Sequence, residues 1–261
     1  MPSPQTLASS LSTAFRITAM AAVAFAALPS DAPAQPAGID PQATAILRKS
    51  IDFLAGLKAF SVDAHSTIEA TLTSGQKLQF DSVSTVTLQR PNKLVARRGK
   101  GDVLNQAYYY DGKTLTLYNP DEKYYATLNA PPAIEPMLDF ARDTLDVVAP
   151  AGDLLYRDAY EMLMQDTTTG FVVGKSFVGG ARCDHLAFRK GDVDWQIWIQ
   201  EGATPLPRKY VITSPKEAGV PDFTVAMTKW NVAPQVTDGM FVFRPPAGAK
   251  RVDFLKPGGA K

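Results

Sequence analysis

"NQAYYYDGKTLTLYNPDEKYYATL", Asn105–Leu128, holds three short runs rich in aromatic and β-branched residues, separated by Asp111-Gly112 and Asn119-Pro120-Asp121. Asp-Gly between two such runs is the strongest short-range hairpin signal, and Asn-Pro-Asp is turn chemistry as well. Three strands joined by tight turns make an antiparallel meander.

Working upstream, "KLQFDSVSTVTLQRPNK", Lys77–Lys93, extends the pattern. Side chains alternate faces along a strand. Leu78, Phe80, Ser82, Ser84, Val86 and Leu88 fall on one face, and the next residue on that face is Arg90. The more apolar face therefore ends in a permanent charge, just before Pro91. A strand-end arginine whose head snorkels to water fits this pattern. So does an inward arginine satisfied by partners from another element. Before this strand lie Ser74-Gly75, a hairpin turn, and an alternating run, Val62–Thr73. After it comes a strand over Lys93–Arg98.

Two helical regions flank this meander. Asp40-Pro41 offers a cap followed by proline at the first helical position. Ala43, Leu47, Ile51 and Leu54 then form a stripe, predicting a helix over 41–57. Pro131-Pro132 stops the meander. Ile134, Met137, Leu138, Ala141, Leu145 and Val148 follow at helical spacing, and a second helical piece spans Leu154–Met164 after the break at Pro150-Ala151-Gly152. Strands are expected again over Gly170–Val178, Ala181–Arg189, Val193–Gln200, Arg208–Ser214, Phe223–Trp230 and Phe241–Arg244, with a Pro/Gly-rich trailing tail from 245 to 261. The order predicts an α+β fold with one large antiparallel sheet. So many strands must curl, and the inserted helices are placed to cover one side of the curl.

The ends and the composition bound the setting. Arg16, the apolar run Ile17–Leu28 and Ala32-Pro33-Ala34 have the layout of a secretory signal peptide over 1–34. The run is too short to span a bilayer comfortably. Residues 35–261 are expected to form a single domain, soluble after cleavage and periplasmic. The formal net charge of +1 leaves no basic excess for nucleic acid. Cys183 is the only cysteine, so packing must hold the fold together without an internal disulfide.

Residues with chemistry are sparse. Gly174-Lys175-Ser176 lacks the glycine that a phosphate loop needs at Thr169, and it is flanked by strand-like sequence. Cys183 and His185 share a strand face, but no second His/Cys cluster exists to complete a zinc site. Asp192 and Asp194 share a face just after a Lys-Gly turn and read as a solvated edge, with a carboxylate pair as the alternative. Tyr108, Tyr109, Tyr110, Tyr118, Tyr124 and Tyr125 read as strand residues, with a carbohydrate-stacking surface as the alternative. No nucleophile, base and orienting group come together. The expectation is no enzyme, no metal and no cofactor.

"QRPNKL" (89–94), "YDGKTLTLYNPDEKYYAT" (110–127) and "FVFRPPAGAKRVD" (241–253) occur in that order. Together they resemble the periplasmic lipoprotein carriers, the LolA/LolB-like superfamily. Over its whole length the chain looks most like an uncharacterised family of predicted periplasmic proteins within that superfamily. The resemblance implies an open half barrel of about 11 strands under lid helices at 133–164, with an apolar interior that takes acyl chains. It implies that Arg90 points inward and hydrogen-bonds to the lid. The candidate site is then Arg90 with Phe80, Val86 and Leu88 on the strand and Met137, Leu138 and Ala141 on the lid. The implied partner is a lipid or acylated, lipoprotein-like ligand. The alternative is an envelope sensor that binds a protein partner, such as an envelope lipoprotein or a membrane-bound protein, through the same fold.

Overall fold

Asp40 caps the first helix, its carboxylate accepting from the Gln42 amide at 2.8 Å, and Pro41 occupies the first turn of α1 (Pro41–Gly56). Ala43, Leu47, Ile51 and Leu54 are buried along its inner stripe. Ser50, on the same stripe, donates to the Pro205 carbonyl at 2.7 Å, which satisfies the one buried hydroxyl there. The structure, a computed structural model, describes residues 38–99, 105–147, 149, 151–214 and 222–254. The expected signal peptide over 1–34 lies outside the described residues.

Six strands follow α1: β1 (Ala59–Thr71), β2 (Lys77–Gln89), β3 (Lys93–Gly99), β4 (Gln106–Tyr110), β5 (Thr114–Asn119) and β6 (Tyr124–Asn129). Each pairs antiparallel with the next, as the turns require. The Asp111-Gly112 turn is built as its chemistry dictates. Asp111 accepts from the amides of Lys113 and Thr114 at 2.9 and 2.8 Å, and Gly112 sits at φ +92°. A Cβ on Gly112 would come within 2.5 Å of the Asn92 side chain, so this turn packs against the turn that follows Arg90.

The helical insertion is α2 (Ile134–Leu145), a 3₁₀ turn (Gly152–Leu155) and α3 (Ala159–Met164). α2 stops at Asp146, which is left-handed at φ 53°. It does not run on to Val148, which lies outside the described residues. The second meander is β7 (Thr167–Val178), β8 (Ala181–Lys190), β9 (Val193–Gln200), β10 (Pro207–Thr213) and β11 (Asp222–Asn231). β11 pairs with β1, so the two meanders form one continuous sheet.

The C-terminal part differs from expectation. Phe241–Arg244 is not a strand. It follows a short 3₁₀ turn, Asp238–Met240, and lies across the outer face. Phe243 sits 5.0–5.3 Å from the rings of Tyr109, Tyr118 and Tyr125, which all point outward from neighbouring strands. Those tyrosines cradle the chain's own tail. The tail then adds β12 (Lys250–Arg251), parallel to β6, so the segment expected to trail is anchored. The sheet has twelve strands in the order β12-β6-β5-β4-β3-β2-β1-β11-β10-β9-β8-β7. Its two edges, β12 and β7, do not meet, and the sheet is an open curl rather than a closed barrel.

Candidate functional site

The register aligns inward side chains into rows across the curl. Phe60, Leu88, Leu94 and Tyr110 form one row on β1 to β4. The next row is Val62, Val86, Ala96 and Tyr108. After it come Ala64, Ser84, Arg98 and Gln106. Phe223, Val225 and Met227 continue the concave face on β11, and Met137, Leu138, Ala141, Leu154 and Leu155 cover it from the lid. Between sheet and lid lies a cavity of about 220 Å³. Its lining is mainly aliphatic and aromatic, with Ser66, Ser82, Ser84, Arg97, Arg98 and the Tyr108 hydroxyl among the polar members, and it includes no Asp or Glu among the described residues.

The lid is fastened at several points. Arg90 follows Leu88 on the inner face, and its side chain is 3% exposed. Its Nη1 donates to Glu135 Oε1 of α2 at 3.1 Å, and its Nη2 donates to the Leu155 carbonyl at 2.9 Å. Nε of Arg90 is buried without a partner. Burial pulls the guanidinium below its usual value, Glu135 opposes that, and nearby Arg157 adds to it. Arg157 also reaches Glu135, at 3.9 Å. The Arg90-Pro91 bond is cis, and the Pro91 carbonyl accepts from the amide of Ile134, the first residue of α2, at 3.0 Å. Tyr110 Oη donates to the Pro131 carbonyl at 2.6 Å. On the far side, Tyr210 Oη of β10 donates to Asp153 Oδ2 at 3.3 Å. Burial pushes the Asp153 carboxyl up, and it also pushes the Tyr210 phenol up. Tyr156 donates to Asp139 at 3.0 Å, which ties the 3₁₀ turn to α2.

The sequence-derived site residues separate into three groups. Val86, Met137, Leu138 and Ala141 line the cavity. Arg90 stands outside the lining, between sheet and lid. Leu88 and Phe80 do not line it. Leu88 is fully buried in the core, and Phe80 is half-buried on the cross-strand pair with Ile68. Sequence reasoning missed Arg98 and the contributions of β1 and β11. Their period-2 patterns were visible, but which face turns inward depends on pairing β1 with β11 across 150 residues of chain or more.

Elsewhere, His185, Cys183 and Asp194 are taken up in the packing of the second meander. His185 stacks on Trp198 at 4.0 Å and meets Gln196 at 2.9 Å. Cys183 is buried, and burial raises its thiol. Asp194 forms a two-point pair with Arg189 at 2.5 and 2.7 Å.

These features define the class: an open, curled antiparallel sheet with an apolar cavity under a helical lid. The chain belongs to the family described as "Predicted periplasmic protein (DUF2092)", whose model matches residues 43–255. It is similar in structure to LprF from Mycobacterium bovis at 15% identity and TM-score 0.49, covering 82% of this chain and 100% of LprF. It is also similar to an uncharacterised conserved protein from Thermus thermophilus (12% identity, TM-score 0.44, 81% and 99% covered). A LolA superfamily protein from Nitrosomonas europaea matches at 11% identity and TM-score 0.38, with 77% and 97% covered. No curated protein matches the chain significantly. Among the described residues, no helix is long and apolar enough to cross a membrane.

Proposed function

We propose that this protein binds the acyl chain of a lipid or acylated ligand in the cavity beneath the lid, acting in the periplasm as a carrier without catalysis. The observation that carries this reading is the lining itself. An internal space of about 220 Å³ is walled by side chains such as Val62, Val86, Val225, Met227 and Leu138. An apolar ligand gains about 25 cal/mol for each Å² it removes from water, and such a wall offers little to a polar one. Arg90 is the latch in this reading. Its two bonds hold α2 and the 3₁₀ turn against the sheet, and a ligand that wedges the lid open must break or bend them. Val86, Met137, Leu138 and Ala141 contact the chain.

Native mass spectrometry of protein purified from a membrane-containing lysate tests this. The expected result is a fraction of the protein carrying a lipid-sized adduct that is lost on organic extraction. Bare protein under several lipid conditions, or a stoichiometric protein partner with no lipid, counts against it.

A further inference from the structure

The cavity holds a charge that the lid does not use. Arg98 shares its row with Ala64, Ser84 and Gln106, so the strand register turns it toward the interior. Its neighbour Arg97 borders the cavity too, but its side chain falls on the opposite face, with its guanidinium 5.3 Å from the centre of the outward Tyr109 ring. Arg98 lines the cavity with Ser84 and Tyr108, and Ser66 and Ser82 occupy the adjacent row. The polar lining is therefore gathered in a band rather than scattered.

Within this band one buried donor of Arg98 has no acceptor. Nη2 of Arg98 donates to Gln106 Oε1, an acceptor that also takes the Tyr108 hydroxyl at 3.2 Å. Nε of Arg98 is buried with no acceptor. A guanidinium has five N–H donors and no acceptor, and a buried donor left without an acceptor is costly. Among the described residues the lining provides no carboxylate to pair it, in contrast to Glu135 at Arg90. Two mainly apolar rows, those of Leu94 and of Ala96, separate Arg98 from the lid end, and Tyr108 in the nearer row turns its hydroxyl to Gln106 in the row of Arg98. Four residues of strand place it about 13 Å from that end.

We propose that Arg98, with Ser84 and Tyr108, is an anion subsite inside the cavity, and that the ligand is an amphiphile with one carboxylate or phosphate head. This rests on the acyl-chain reading above. The head meets Arg98 through charge-assisted hydrogen bonds, of which Nε supplies one, and the chain runs from it toward the lid between Val86, Ala96 and Leu138. A neutral chain of equal length leaves the guanidinium as the structure shows it, short of an acceptor.

The test is equilibrium binding of three 18-carbon probes, oleate, oleyl phosphate and oleyl alcohol, to delipidated protein below their aggregation concentrations. The wild type is expected to prefer at least one anionic probe over the alcohol by tenfold or more, the range of a hydrogen bond to a charged group. Comparing oleate with oleyl phosphate shows which head is taken. Arg98→Met should bring the anion-to-alcohol ratio to within about twofold while leaving alcohol binding near its wild-type value, and Arg98→Lys should keep part of the preference. If the Met variant misfolds, Arg98→Gln takes its place, and the wild-type ratio is decisive by itself. Equal binding of anions and alcohol by the wild type overturns the subsite and leaves the acyl-chain reading intact. A preference that survives Arg98→Met or Arg98→Gln also overturns it. Failure of all three probes to bind removes the acyl-chain reading, and the subsite with it.

Discussion

Arg90 stands where an alternating strand should have placed another apolar side chain, and its surroundings account for the exception. The guanidinium is nearly inaccessible to solvent, and two of its donors are used on two different pieces of the lid. Replacing it with leucine keeps the volume and the apolar character of the row, but strands the Leu155 carbonyl and leaves Glu135 with only the longer contact to Arg157. Breaking a buried pair from one side costs about 3–5 kcal/mol. Glu135 is one-quarter exposed and keeps a second partner, so Arg90→Leu is expected to cost about 2 kcal/mol, or about 4–8 °C in thermal midpoint at this size. Amide exchange should accelerate first in residues 134–164 and much less in β7 to β11. Uniform acceleration would mean that Arg90 supports the sheet rather than the lid. Arg90→Lys keeps the charge but not the planar fork, and should fall between the two.

At the scale of elements, the lid is a set of short helical pieces held from both sides of the curl: by Arg90 and Tyr110 from the first meander, and by Tyr210 from the second. The Tyr210–Asp153 contact carries a pH dependence. Burial raises the folded-state pKa of Asp153 above its ordinary value. The stability it contributes is therefore full below the ordinary carboxylate range and is lost as pH rises through the raised value. Asp153→Asn keeps an acceptor for Tyr210 and removes that loss. Its thermal midpoint should exceed the wild type at pH 7, with the gap closing toward pH 4. Carboxylates held below their usual range, such as Glu69 and Asp143, act equally in both proteins and cancel in the difference. A variant less stable than the wild type at pH 7 contradicts this account. Much of this element layout was legible in the sequence, because turns such as Asp111-Gly112 and helix starts such as Asp40-Pro41 are encoded over a few residues. The end of α2 was not, because Leu145 and Val148 satisfy the same helical spacing whether or not the backbone turns left-handed at Asp146.

For the whole molecule, local periodicity predicts strands and leaves their pairing open. Arg90 could be placed on the apolar face because one strand, β2, carries the pattern by itself, while its inward turn came only from the resemblance. Arg98 lies on a shorter strand whose phase is fixed only by its register with Ser84 and Gln106. The tail was read as trailing because Pro245, Pro246 and Gly248 signal coil, and a two-residue parallel strand leaves no period to detect. Phe243 finds its place only after three tyrosines from β4, β5 and β6 are brought side by side. The assembly leaves a space open between sheet and lid. Titrating an environment-sensitive fluorescent fatty acid into the wild type and into Ala96→Trp, which projects an indole from β3 into the cavity, tests whether that space takes an acyl chain. The wild type is expected to show saturable one-to-one uptake with blue-shifted emission, and the variant, its fold unchanged, to lose at least tenfold in affinity. Unsaturable uptake by the wild type, or equal affinity in the variant, would contradict acyl-chain binding there.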